Sequence, residues 1–88
     1  MNLSCNGNQY AVDTNVSLTM INHYFTNIFG SGKIYKREEL VELKDSIEKF
    51  ESSFGAYSVG FMVGICERWL KDFPQAEKFE IQIIRDLD

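Results

Sequence analysis

The chain reads as one α+β domain spanning residues 1–88: an N-terminal β-hairpin, three helices and a C-terminal strand, with the helices packed on one face of a small antiparallel sheet. The reading rests on an Asn-Gly pair between short alternating segments, on two long stretches with helical spacing, and on an alternating C-terminus. A lone final strand cannot satisfy its backbone, so it is expected beside the hairpin.

Asn6-Gly7 separates Leu3–Cys5 from Gln9–Val12. Asn-Gly accepts the positive φ angles of a two-residue hairpin turn. Leu3 and Cys5 then share one face, as do Tyr10 and Val12.

Asp13 and Thr14 are candidate caps for a first helix over 16–29. Leu18, Ile21, Phe25, Ile28 and Phe29 line one side of it, widened by Met20 and Tyr24. Its β-branched and Asn content lowers helix propensity, so a strand over Val16–Met20 is the alternative. Gly30-Ser31-Gly32 ends the element.

The second helix runs from about Lys36 to Phe54 along the stripe Leu40, Leu43, Ile47, Phe50 and Phe54. Asp45 precedes Lys49 by four, a spacing that suits an ion pair. Gly55 is a suitable left-handed stop. The third helix covers 56–73 and ends before Pro74. Its broad apolar arc holds Val59, Met62, Val63, Ile65, Cys66, Trp69, Leu70 and Phe73. In KFEIQIIRDLD, Phe79, Ile81, Ile83 and Leu87 face one way and Glu80, Gln82 and Asp86 the other, the pattern of a strand.

The chain has 88 residues, a length that buries only about 60–65% of the unfolded surface. At 44% hydrophobic and 14% aromatic the composition is too apolar for disorder. A net charge of −4 is the wrong sign for displacing counterions from phosphates, which argues against direct nucleic-acid binding. The two cysteines, Cys5 and Cys66, are too few for a disulfide scaffold, and the polar N-terminus lacks a secretion pattern. A reducing cytoplasm is therefore the expected compartment.

Gly60 and Gly64 interrupt the most apolar run, and each costs a helix interior about 1 kcal/mol relative to alanine. A membrane pairing is excluded by length, because charges at Glu67, Arg68, Lys71 and Asp72 follow at once. Close packing inside the monomer is one explanation. The other comes from angle: both glycines share an arc with Tyr57, Phe61 and Arg68. Aromatics and arginine carry interface energy, so this arc is a candidate partner-binding groove. Substitution by leucine separates the two.

The chain offers no evident reactive centre. His23 is the one histidine, distant in sequence from both thiols, and no metal spacing is present. GSGK at 30–33 lacks the upstream glycine and the following Ser/Thr of a phosphate loop. No cofactor and no enzymatic activity are expected. On the second helix, Glu38, Glu39, Glu42, Asp45, Glu48 and Glu51 form an acidic rod, diluted by Lys36, Arg37, Lys44 and Lys49. Such a rod suits a basic partner surface, including one that binds nucleic acid.

In size, acidity and lack of a catalytic constellation the chain resembles the small acidic proteins with which phages and mobile elements block host machinery, anti-CRISPR proteins among them. Bacteriocin immunity proteins and antitoxins share that character. The resemblance implies a stoichiometric inhibitor acting by occupancy of a host protein. A homo-oligomeric structural or accessory protein, a homodimer joined through the glycine face or the uncharged face of the first helix, is the alternative.

Overall fold

The computed structural model describes residues 1–25, 33–49 and 55–84. Their order is β1 (Asn2–Cys5), β2 (Asn8–Ala11), α1 (Leu18–Phe25), β3 (Lys33–Lys36), α2 (Arg37–Lys49), α3 (Ala56–Asp72) and β4 (Lys78–Ile84). The strands form one antiparallel sheet in the order β2-β1-β4-β3, and the helices cover one face of it.

The hairpin forms as its sequence dictates. Asn6 and Gly7 take φ 51° and 89°, and Cys5 faces Asn8 across the turn. Asn6 also joins the hairpin to β4. Its side chain donates to the Lys78 carbonyl at 3.2 Å and accepts from the Glu80 N–H at 2.9 Å. The C-terminal strand pairs with β1 as expected, Leu3 opposite Ile83 and Cys5 opposite Ile81.

β3 corrects the expected loop and helix start at 33–36. KIYK carries only one inward apolar residue, too weak a local signal for a strand. It pairs because β4 offers a second edge, with Tyr35 opposite Phe79. The Tyr35 hydroxyl donates to the Tyr24 carbonyl, tying the strand to α1. α2 follows without a linker. The Glu39 carboxylate accepts the Lys36 N–H at 3.0 Å, one half of a capping box.

α1 is a helix, so the strand alternative over Val16–Met20 falls. Its cap is Ser17, whose Oγ accepts from the Met20 N–H at 3.3 Å, rather than Asp13 or Thr14. Asp13 instead accepts from the Asn15 N–H and shapes the loop before the helix. Leu18, expected inside, is 59% exposed, because the helix turns Met20, Ile21, Tyr24 and Phe25 inward. The expected positions Ile28, Phe29, Gly30, Ser31, Gly32, Phe50, Glu51, Phe54, Asp86 and Leu87 lie outside the described residues.

The end of the second helix expected before Gly55 lies outside the described residues, and Gly55 is the N-cap of α3. Its φ of 86° with ψ of 148° is a backbone region that glycine alone adopts readily. α3 ends at Asp72, where the Phe73 N–H still bonds to the Trp69 carbonyl and Pro74 follows. Arg37 then secures the turn into β4, donating from Nε to the Ala76 carbonyl at 2.9 Å and from Nη2 to the Phe73 carbonyl.

The core lies between sheet and helices. Trp69 is fully buried, with its ring 5.5 Å from Phe25 and 6.0 Å from Tyr10, both edge-on. Leu3, Ile47, Met62, Phe79 and Ile81 close around it.

Candidate functional site

The two glycines on α3 have a clear setting. Gly60 and Gly64 are exposed, and a Cβ built on either would meet nothing within 4 Å. Packing within the described monomer therefore does not explain them. Both glycines lie on the outward side of α3.

A groove of about 210 Å³ runs beside Gly64, between α3 and β2. It is lined by Tyr10, Ala11, Phe61, Gly64, Ile65 and Arg68. The expected residues Phe61, Gly64 and Arg68 thus come together. Tyr57 and Gly60 sit on the same helix but do not line the groove. Tyr57 is 57% exposed, and its hydroxyl donates to Asp13 at the loop beyond β2. That bond holds the Asp13 carboxyl below its ordinary value and raises the Tyr57 phenol above its own.

One end of the groove is closed by a polar cluster. The Tyr10 hydroxyl donates to Asp72 Oδ2 at 2.9 Å, and the Arg68 guanidinium lies over the Tyr10 ring at 4.9 Å. Arg68 is also 3.6 Å from Asp72, its partner one turn along the helix. Burial first, and the Asp72 bond second, raise the Tyr10 phenol above its ordinary value.

Tyr10, Ala11 and Ile65 were missed from the sequence. Tyr10 reads as an ordinary inward strand residue, and Ile65 as core. Only the packing of α3 along β2 makes them groove walls, and no local pattern carries that information.

The acidic residues of α2 occupy a separate surface. Glu38, Glu42, Asp45 and Glu48 are exposed around the outward-facing Val41, and no ion pair engages them among the described residues. Asp45 and Lys49 have the right spacing for a bridge but do not form one. Glu39 is turned to the Lys36 N–H, and Lys44 lies 3.8 Å from Glu67 of α3. The acidic face and the groove thus lie on different flanks of α3. Glu67 looks toward α2, while Gly64 and Arg68 look toward β2.

A second concavity, about 390 Å³, is lined by Lys36, Arg37, Glu38, Glu77 and Lys78. Its Arg37 is already engaged with the Ala76 and Phe73 carbonyls. Lys36 and Lys78 stand directly opposite each other in the ladder.

Burial pushes both thiols up to about 12, with the Asp72 charge adding at Cys5 and the Cys5 charge at Cys66. They stay protonated at neutral pH and are poor nucleophiles there. His23 is exposed, its ring edge-on to Tyr24 at 4.8 Å. Among the described residues no group of His, Cys, Asp and Glu is placed to hold a metal ion. None of their helices is long and apolar enough to cross a membrane. Compared with known protein families, curated proteins and solved structures, the chain finds no match.

Proposed function

We propose that the chain is a small non-enzymatic protein-binding module of the reducing cytoplasm, acting stoichiometrically by occupancy. Its target surface is basic, of the kind that binds nucleic acid. The observation carrying this reading is the acidic face of α2, where Glu38, Glu42, Asp45 and Glu48 surround an exposed Val41 and engage no cation among the described residues. From Glu38 to Glu48 the helix rises about 15 Å, one carboxylate for roughly every 4–5 Å. One strand of a nucleic-acid duplex carries a phosphate for about every 3.4 Å of helix axis, a row of charge of the same order. A cationic channel built for phosphates would meet similar charge on a rigid rod, with Val41 as an apolar contact at its centre. The small acidic inhibitors of phages and mobile elements, which the chain resembles in size and charge, are the class to which such occupancy would assign it.

The test is affinity capture from the native host with the natural chain and with a Glu38→Lys, Glu42→Lys, Asp45→Lys, Glu48→Lys variant. The natural chain is expected to retain a nucleic-acid-binding protein at one-to-one stoichiometry. Salt or a short oligonucleotide should release it, because exposed charges are screened over about 8 Å at physiological ionic strength. Unchanged capture by the reversed variant, or inhibition at substoichiometric amounts, would refute the reading. The uncovered glycines favour a second reading, self-association.

A further inference from the structure

We infer that β2 is the seam of a two-fold homodimer, in which two copies of this chain pair their β2 edges antiparallel about Tyr10 and bring α3 of each against the other. The inference goes beyond the function proposed above and does not depend on it.

Among the described strands the sheet has two edges, β2 and β3, and they differ in kind. β3 carries Lys33 and Lys36 in four residues. Lysine on an edge strand is a common guard against unwanted pairing. β2 reads NQYA and carries no charge. In a chain of net charge −4 this is a stretch on which a second copy meets no repulsion.

The backbone of β2 is self-complementary about one residue. A two-residue turn makes Cys5–Asn8 the hydrogen-bonded pair that closes the hairpin. Alternation then turns the N–H and C=O of Tyr10 toward Leu3, and those of Gln9 and Ala11 outward. The Val12 N–H bond to the Met1 carbonyl, 3.2 Å, agrees with this alternation. A two-fold axis at Tyr10 sets Gln9 of one copy opposite Ala11 of the other, so both outward pairs find partners. The two sheets become one, and β2 is no longer an edge.

The groove above β2 completes the seam. α3 runs antiparallel to β2, since Tyr57 reaches Asp13, Gly64 lies beside Ala11 and Asp72 meets Tyr10. The two α3 helices therefore approach each other above the new strand pair. Gly64 presents no side chain there, and the space around its Cβ position is open. Arg68 and Asp72 sit one turn apart at the groove end. Two copies related by a two-fold axis carry this pair in opposite senses, so like charges need not meet across the seam. The acidic faces of α2 remain on the outer flanks.

Sedimentation equilibrium of the full chain, from low to high micromolar concentration, is the test. The natural chain is expected to sediment as a dimer. Ala11→Pro removes an outward N–H and no bond of the β1–β2 ladder, and should raise the dimer Kd at least tenfold. Gly64→Leu should do the same by filling the groove. Ala11→Lys, which keeps the N–H and adds a guard charge, serves if the proline variant fails to fold. Ile34→Lys on the opposite edge should leave the dimer intact. Far-UV circular dichroism and Trp69 emission confirm the fold of each variant. A natural chain that stays monomeric throughout overturns the proposal, even if its β2 edge takes up an unrelated extended peptide. A dimer unaffected by the Ala11 and Gly64 substitutions, or abolished by Ile34→Lys, also overturns it.

Discussion

Replacing Gly60 and Gly64 together by alanine should stabilise the monomer. Both positions lie inside α3, neither has a positive φ, and an added Cβ at either meets nothing within 4 Å. The whole effect is then helix propensity, about 0.8–1.0 kcal/mol for each glycine replaced. Propensity is a per-residue backbone property, so the two contributions sum to about 1.6–2.0 kcal/mol. For an 88-residue domain the unfolding entropy is roughly 0.18 kcal/mol/K, so the midpoint should rise by about 9–11 °C. Thermal melts followed by Trp69 emission, the one tryptophan being fully buried, measure this directly. The Ala11→Pro background removes any contribution from self-association. A fall in stability would refute the reasoning, because it would mean that another part of the chain lies against the glycines. A rise implies that the natural chain forgoes stability to keep this helix face bare.

Three further outcomes are expected. Asn6→Ala loses both side-chain bonds to β4 and puts alanine at φ 51°, so chemical denaturation should show a loss of about 2 kcal/mol. Lys78→Glu turns the repulsive cross-strand pair with Lys36 into an attractive one, a gain of about 0.5 kcal/mol that should fade with added salt. Cys5 and Cys66 should resist a thiol reagent in the native state and react fully in denaturant. Burial raises both from the ordinary 9.0 to about 12, so their contribution to stability is complete below pH 9.0. It should drain away as pH climbs from there toward 12, and a denaturation series across that range checks the sign.

Local chemistry determined much of this architecture. Asn6-Gly7 can hardly be anything but a tight turn, and the hairpin followed from it. The spacing of Val59, Met62, Cys66 and Trp69, ended by Pro74, marked α3, and the alternation of Phe79 and Ile81 marked β4. Each of these signals acts within one or two turns of chain, which is why a sequence displays it. Glycines on the charged side of α3 could also be placed by angle alone, and so could the carboxylates of α2. Tertiary structure decided the rest. KIYK became a strand because β4 had an edge to fill. Tyr10, Ala11 and Ile65 became the walls of a groove because α3 lies along β2. The carboxylates and the glycines parted onto different flanks because α2 packs on the far side of α3. Contacts of that kind depend on which faces meet after burial, a property of the assembled layers that no short stretch of residues encodes.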